Sequence, residues 1–421
     1  MIRFMLKQLW NERKTNAWLW AELLVVLIAL WIVTDWSYTN IYIYLQPKGF
    51  NSEHTYRLTF NKLPPKSTNY VPAGGETGSS DSDDFLAIVE RLRHHPDIEY
   101  ISCSVNASPY NDSNNHETFG QDSVSVKRLV RVCTPDFFNV FQYANADGTG
   151  SASLAEAFTE NTIIVPVNFW EERYPAGKNL SGQSFYQNND TTHALRVAAL
   201  TQPVRYNDFM PDWKHIYSAV YMGEDYISHM ISNYGMYPEV CIRTRPGMPA
   251  GFTERLMNDS PRNYNVGNCY IQSILSFDKI RHKTQLDRVN ALKKRSFIML
   301  FLLVNIFLGI TGTFWYRTQQ RRSELALRIA LGSSPSSLSL LLIGEGLLLL
   351  ALAAIPALPV CYAIGNADLT DVAEQVKWGM ARFIPGAAIT LALMVLMIVA
   401  GIWYPACQAT KIQPAEALHE E

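Results

Sequence analysis

Motifs for the common kinds of enzyme chemistry are absent from this sequence. It contains no GxxxxGK[ST] phosphate loop, so the chain does not itself supply the usual ATP site. A GxSxG nucleophile elbow, an HExxH pair and a CxxC pair are absent as well. We therefore expect no catalytic residue, no metal site, no bound cofactor and no enzyme activity in this chain.

Charge is scarce and almost balanced. The 421 residues include 36 Lys and Arg against 38 Asp and Glu, for a formal net charge of −2, and no long basic tract occurs. A surface that binds nucleic acid needs a basic patch or stripe to meet the phosphates. The composition therefore argues against a nucleic-acid partner.

Long apolar runs are present, and four of them reach the roughly 20 residues that a helix needs to cross a bilayer. They cover residues 17–37, 297–316, 339–364 and 383–404. Residues 1–16 combine basic and apolar side chains at helical spacing, which predicts an amphipathic helix on the cytoplasmic membrane surface. A cleaved signal peptide is the alternative for this end, but no small-residue cleavage site follows the first run.

The polar block between the first two runs, residues 38–277, is predicted to form a large α+β domain of two lobes outside the cytoplasm. A strand–helix–strand pattern occurs twice in it, at residues 56–60, 83–94 and 98–105 and again at residues 239–244, 250–258 and 270–277. Two such units predict a split β-α-β lobe of the ferredoxin-like kind, built from residues 38–109 and 238–277. The insertion, residues 110–237, is rich in Asn, Asp, Tyr and short β-branched runs, which predicts a second, mostly β lobe.

A helical stalk is predicted between this domain and the second apolar run. Residues 278–296 are polar, contain no helix breaker and lead directly into residue 297. We interpret them as a helix continuous with the second span that carries movement between the membrane and the outer domain. An ordinary juxtamembrane helix would have the same sequence.

The loop between the second and third spans, residues 317–338, is the most cationic short loop of the chain. Four arginines stand in it against a single acid, Glu324. Basic loops next to spans stay in the cytoplasm, whereas the connector 365–382 lacks this excess. The pattern predicts four membrane helices, with both termini and the tail 405–421 in the cytoplasm.

The same basic loop contains a short amphipathic helix, which ends at Gly332 and the Ser-Ser-Pro that follows. A soluble partner can bind such a helix between two spans and displace it. A surface helix that only orients the loop is the other interpretation of this pattern.

Residues Ser323–Ser333, SELALRIALGS, resemble the coupling-helix motif of MacB/FtsX-type ABC transporter permeases, usually written REIGIRRALGA. Five positions match it identically: Glu324, Arg328, Ala330, Leu331 and Gly332. Leu325 and Leu327 match in kind. A second motif of the family, YPA…A…PxxAL, resembles the tail Tyr404–Leu418, with Pro414 at its proline position.

The resemblance implies the membrane subunit of an ABC transporter, with a MacB-like periplasmic domain, in the bacterial inner membrane. Its expected partners are a cytoplasmic ATPase subunit that binds ATP and magnesium, a second permease chain and membrane lipid. A periplasmic adaptor and an outer-membrane channel are further candidate partners. The residues expected to contact the ATPase are Glu324, Leu325, Leu327, Arg328, Ala330, Leu331, Gly332 and Pro414. ATP hydrolysis in the partner would move the outer domain and drive efflux by mechanotransmission.

Alternatives within and beyond this family remain open. A lipoprotein-releasing permease shares the fold and motifs, and a regulator of a cell-wall enzyme would use the same parts without transport. A four-span receptor unrelated to ABC transporters is the alternative that lies beyond this family. Ser323 and Ile329 replace two arginines of the coupling motif, which indicates either a heterodimer with a chain that keeps them or neutral drift.

Four of the six cysteines lie in the predicted outer domain, where disulfides can persist. In a split lobe of the predicted kind the second and third strands are neighbours, which would bring Cys103 near Cys241. Free buried thiols are the alternative to this disulfide.

Overall fold

The computed structural model describes residues 13–72, 80–113, 115–188, 190–248, 251–320, 327–328, 331, 333–370 and 376–409. The chain divides into two compact units. The first, here called the membrane unit, comprises residues 1–45 and 288–421. The second, called the outer domain, comprises residues 46–287.

The helices of the structure are numbered in chain order. They are α1 Arg13–Leu45, α2 Asp81–Arg93, α3 Phe137–Val140, α4 Ser151–Ala157, α5 Glu224–Tyr234, α6 Phe252–Asn263, α7 Phe277–Gln320, α8 Pro335–Asn366 and α9 Met380–Ala409.

The strands are numbered in the same way. They are β1 Thr55–Lys62, β2 Ile98–Val105, β3 His116–Gln121, β4 Val124–Cys133, β5 Thr162–Pro166, β6 Ser184–Gln187, β7 Ala194–Thr201, β8 Tyr217–Tyr221, β9 Glu239–Thr244 and β10 Cys269–Ser276.

Among the residues that the structure describes, four helices are long and apolar enough to cross a membrane: α1, α7, α8 and α9. They correspond to the four predicted apolar runs. Helix α1 continues past the predicted end of the first run at residue 37 and reaches Leu45. The first helix breaker after it is Pro47, which disfavours helical geometry at Gln46, so nothing ends the helix earlier.

Helices α1, α8 and α9 pack against one another in the membrane unit. Their shared core contains Leu27, Trp31, Ala353 and Met394, each buried. Helix α7 is a single helix of 44 residues that includes both the predicted stalk and the second span. The absence of Pro and of any turn signal between residues 277 and 320 explains this continuity.

The outer domain is built on a single ten-stranded sheet in the order β10-β1-β9-β2-β4-β3-β6-β7-β5-β8. The first four strands of this order are antiparallel to their neighbours. They are the strands predicted on either side of the insertion, and α2 connects β1 to β2 while α6 connects β9 to β10. The predicted strands 98–105 and 239–244 coincide with β2 and β9.

The two predicted lobes share this one sheet instead of each having its own. The short pairing of β2 with β4, at Ser104–Cys133 and Val105–Val132, joins the two halves. Strand β4 also pairs in parallel with β8, which follows it by more than eighty residues in the chain. Sequence patterning does not report which distant strands pair, so this continuity was not predicted.

Strands β2 and β9 are neighbours, but Cys103 and Cys241 do not form the disulfide considered above. Cys103 lies opposite Val240, and Cys241 lies opposite Ser102. Successive residues of a strand point to opposite faces of the sheet, and the two thiols accordingly lie in different hydrophobic clusters. The four cysteines of the outer domain, Cys103, Cys133, Cys241 and Cys269, are free and buried, as the alternative stated.

Candidate functional site

Within the predicted coupling loop, residues described between α7 and α8 include a helical turn that presents two leucines. The Leu331 amide donates a hydrogen bond to the Leu327 carbonyl at 3.0 Å, and the Ser333 amide donates to the Arg328 carbonyl at 2.9 Å. Leu327 is 50% exposed and Leu331 is 78% exposed. Residues four apart lie on the same side of a helix, so both leucines are available to one partner surface.

Other predicted coupling residues lie outside the described residues: Glu324, Leu325, Ala330, Gly332 and Pro414. Helix α8 begins at Pro335, within the last residues of the predicted loop. The Ser334 side chain accepts a hydrogen bond from the Ser337 amide at 3.3 Å, and Pro335 occupies the first turn of the helix. Both features are typical of a well-defined helix start. The exposed leucine turn is therefore attached closely to a rigid membrane helix.

Sequence reasoning missed a fully buried ion pair between the first and fourth spans. Nε of Arg382 donates to Oδ1 of Asp35 at 3.1 Å, and Nη2 of Arg382 lies 2.5 Å from Oδ2. The two side chains are 1% and 0% exposed. Two parallel hydrogen bonds of this kind give the strongest and most directional form of an arginine–carboxylate pair.

The remaining donors of Arg382 bind the connector between α8 and α9. Nη2 also donates to the Thr370 hydroxyl at 2.8 Å, and Nη1 donates to the Val376 carbonyl at 3.2 Å. The guanidinium lies 5.1 Å from the ring centre of Trp378. One arginine thus attaches both α1 and the connector between α8 and α9 to the start of α9.

Aromatic rings surround this ion pair. Trp378 contacts Trp31, Tyr362 and Phe383, with ring centres 5.5–6.2 Å apart. A β-carbon at Gly365 would lie 2.0 Å from the Trp378 ring, so only glycine there leaves room for the indole against α8. The rings hold the pair away from water, in surroundings where a charge without its partner is costly.

A signal for this pair was present in the sequence. Asp35 lies inside the predicted first run, and Arg382 is the last residue of the predicted connector 365–382. A charged residue within a span usually has a partner in the bundle. The predicted topology places both residues on the outer side, so the pair could have been proposed from that rule.

Two further contacts join α1 to α7 in the membrane unit. The Arg295 guanidinium lies 3.9 Å from the ring centre of Trp36, and that of Arg288 lies 5.6 Å away. A β-carbon at Gly309 would lie 2.4 Å from Oε1 of Glu22, which shows how closely the two helices approach there. Helix α1 therefore contacts each of the other three spans.

The outer domain contains a cleft of about 610 Å³ between α2 and α5. Its apolar lining includes Leu86, Ile101 and Ile227. Arg93 borders the cleft and is held by Glu90 at 3.3 Å and by Asp136 at 3.4 Å. The volume is in the range of small-molecule sites.

In the described part of the chain, no group of three or more His, Cys, Asp or Glu side chains is arranged to hold a metal ion. The described residues do present an exposed turn beside α8, a buried ion pair between α1 and α9, and a long unbroken α7.

Comparison with known proteins identifies the C-terminal part of the chain. Residues 296–414 match the model of the FtsX-like permease C-terminal domain. This range includes α8, α9 and the predicted coupling loop. No curated protein matches the chain.

Three solved structures resemble a little over half of the chain at low identity. The periplasmic region of MacB from Actinobacillus actinomycetemcomitans has 9% identity and a TM-score of 0.31, over 58% of this chain and 98% of that one. A domain of a putative permease protein from Porphyromonas gingivalis has 12% identity and a TM-score of 0.33, over 54% and 91%. The extracellular domain of the noncanonic ABC-type transporter YknZ from Gram-positive bacteria has 10% identity and a TM-score of 0.27, over 52% and 100%. At these values the likenesses carry no functional argument.

Proposed function

This chain is a permease of the MacB/FtsX type, and from that premise we propose that it couples ATP hydrolysis by a cytoplasmic partner to movement of its outer domain. The observation that carries the proposal is the match of residues 296–414 to the FtsX-like permease C-terminal domain. ATP and magnesium belong to the partner subunit, and the permease itself performs no hydrolysis.

The exposed turn beside α8 is the proposed contact with the ATPase. Leu327 and Leu331 would enter an apolar groove of the partner, because two leucines this exposed gain most by burial there. The charged members of the coupling motif, Glu324 and Arg328, would fix the orientation of the turn. The tail around Pro414 would complete the same surface.

Helix α7 is the proposed route from the membrane to the outer sheet. It begins at Phe277, directly after β10, and continues to Gln320, within the first residues of the predicted coupling loop. A helix resists bending more than a loop does, so a tilt at one end reaches the other. This arrangement supports mechanotransmission: substrate would be taken up outside the membrane and driven outward, with a second permease chain beside the first.

The proposal is tested by capture of the partner. The full-length chain is purified from its own cells in mild detergent, and co-purifying proteins are identified by mass spectrometry. The matched variants are the pair Leu327→Asp with Leu331→Asp and, as a control, Leu369→Asp. Leu369 is 72% exposed and lies at the other end of α8, where the topology predicts the outer side.

We expect an ATPase subunit with the unaltered chain and with the control, and its loss with the paired variant. A second, different permease chain in the same sample would identify a heterodimer, and its absence with the ATPase present would identify a homodimer. If no ATPase accompanies the unaltered chain in several detergents, or if the control loses it equally, the coupling proposal is wrong.

A further inference from the structure

The outer domain continues into membrane helices at two points, and one loop contacts both. The entering segment, Gln46–Gly49, follows α1, and the first turns of α7 from Phe277 onward form the exit. The loop between β7 and β8, here called the clamp loop, spans residues 202–216 and contains no helix or strand along its fully described length. Its contacts, described next, all lie within the outer domain.

Arg205 of the clamp loop binds the entering segment. Its Nε donates to the Pro47 carbonyl at 3.0 Å, and its Nη2 donates to the Gln46 carbonyl. The Arg205 amide also donates to the Lys48 carbonyl at 3.0 Å. Arg205 is 2% exposed, so these are interior hydrogen bonds from a charged donor, which are stronger than those between neutral groups.

Asp208 of the same loop binds the exit. Its Oδ2 accepts from Nε of Arg281 on α7 at 2.6 Å, and Nη2 of Arg281 lies 2.5 Å from the same oxygen. Its Oδ1 accepts from the Tyr110 hydroxyl at 2.9 Å. Asp208 is 1% exposed, whereas the Arg281 side chain is 32% exposed.

Tyr110 gives the exit a second attachment. Its carbonyl accepts a hydrogen bond from the Thr284 hydroxyl on α7 at 3.3 Å. Burial and the neighbouring Asp208 raise the pKa of the Tyr110 phenol, so the hydroxyl stays a neutral donor. The Asp208 carboxylate therefore accepts hydrogen bonds from Arg281 on the exit and from Tyr110, whose carbonyl binds Thr284 of the exit.

The two halves of the clamp loop are joined to each other. Nη1 of Arg205 donates to the Asp208 backbone carbonyl at 2.9 Å. This bond connects the residue that binds the entering segment to the residue that binds the exit. Gly49 has φ +82°, and a β-carbon there would lie 2.4 Å from the Pro203 carbonyl oxygen, so the entering segment lies directly on the loop. Phe50, Val204, Phe277 and Ile280 share one hydrophobic cluster beneath these bonds.

We propose that Asp208 is a positioning residue that, with Arg205, holds the entering segment and the first turns of α7 together as one rigid body. The two connections to the membrane then move as a pair, and the outer sheet receives their displacement without sliding between them. The use of this clamp in transmission rests on the proposed function, but the rigid attachment itself concerns the outer domain alone.

The attachment is tested by hydrogen exchange on the full-length chain in lipid nanodiscs, without any partner. The variant is Asp208→Asn, which keeps the size of the side chain and removes its charge. The control is Asp122→Asn, which breaks a surface ion pair with Arg173 in the same domain, 2.6 Å long. Three regions are followed: the Arg205 amide, which donates to the Lys48 carbonyl of the entering segment, residues 277–287 for the exit, and strands β1 and β9 for the sheet.

We expect Asp208→Asn to accelerate exchange roughly tenfold or more in the entering segment and in the exit together, with β1 and β9 unchanged. Arg281→Lys, which keeps the charge but not the two-point contact, should accelerate the same two regions by a smaller factor. The control should change neither. Acceleration at the exit alone, no acceleration, or equal acceleration throughout the sheet would each overturn the clamp.

A coupling measurement separates the clamp from a merely structural role. With the captured ATPase, Asp208→Asn should retain co-purification and basal ATP hydrolysis while substrate stimulation falls several-fold. Full stimulation in this variant would overturn the role in transmission. Failure of the unaltered chain to capture an ATPase contradicts the proposed function instead, and it leaves the exchange result to decide the clamp.

Discussion

Asp35 in the membrane unit and Asp208 in the outer domain are the same chemical group in two different surroundings. Both are almost completely buried, and each is bound by two nitrogen atoms of one arginine. They differ in the partner: Arg382 is 1% exposed, whereas Arg281 is 32% exposed. Solvent therefore contacts the arginine of the outer pair, whereas both side chains of the membrane pair are buried.

The comparison teaches that the surroundings of an ion pair decide its importance more than its geometry does. Removal of one partner from a fully buried pair costs about 3–5 kcal/mol, because the other charge is left without compensation. An exposed partner reduces this cost, since solvent screens the remaining charge. We therefore expect the membrane pair to be needed for folding and the outer pair to be needed for rigidity.

The largest effect is expected from Arg382→Gln. It leaves the Asp35 carboxylate buried among Trp31, Trp378 and Phe383, and should destabilise the membrane unit by about 3–5 kcal/mol. Fluorescence-detected size exclusion after a heating series measures this as a lower melting temperature. The double variant Asp35→Asn with Arg382→Gln removes both charges and should recover much of the loss. A single variant that melts like the unaltered chain would contradict the buried ion pair.

A smaller effect is expected from Arg281→Gln, because the Arg281 side chain is partly exposed. Loss of a charge-assisted hydrogen bond to Asp208 should destabilise the outer domain by about 1–2 kcal/mol, after allowance for solvent. Melting of the outer domain, followed by its own tryptophan signal, tests this value. Arg173→Gln, at the exposed pair with Asp122, is the matched control and should cause no measurable shift. Equal losses of stability from Arg281→Gln and Arg382→Gln would contradict the expected difference between the two ion pairs.

The smallest effect concerns a buried ionisable group that has no ion-pair partner in contact. Burial raises the pKa of the Cys103 thiol to about 12, and Arg93 opposes this only in part. Because the folded state holds this proton more tightly, the contribution of Cys103 to stability is complete below its unfolded pKa near 9 and is lost as the pH rises towards 12. Between pH 6 and 8 it should not change.

Alkylation identifies this state directly. The Cys103 peptide should remain unmodified by a thiol reagent at pH 8 in the folded protein and react fully in denaturant, because the thiolate is the nucleophile. Modification of Cys103 at equal rates in both conditions would show that the thiol is neither buried nor held neutral.

Helices and strands were predicted well from local sequence patterns where the spacing of the buried residues matches the period of the helix or strand. Strand β2 begins and ends at Ile98 and Val105 as its apolar run indicated, and β9 covers the predicted residues 239–244. The predicted helix at residues 83–94 is α2, whose capping box at Ser80 and Asp83 starts it two residues earlier. Propensity and capping act within a few residues, so one stretch of sequence contains the whole cause.

The same difference between local and long-range causes applies to the candidate site and to the sheet. The exposed turn at Leu327 and Leu331 was predicted from its motif, and its helical bonds are local. The outer sheet's junction at Ser104 and Cys133 was not predicted, because the pairing of two strands depends on the path of the whole chain between and around them.

By itself the sequence determined four apolar helices, the strands on either side of the insertion, and a family of permeases through residues 296–414. These follow from hydrophobic length, period and motif, which are properties of neighbouring residues. Only the tertiary structure decided that Asp35 would meet Arg382, 347 positions away, and that Asp208 would meet Arg281, 73 positions away. A charged residue within a span indicates that a partner exists, but the fold decides which residue it brings within hydrogen-bond distance of that charge.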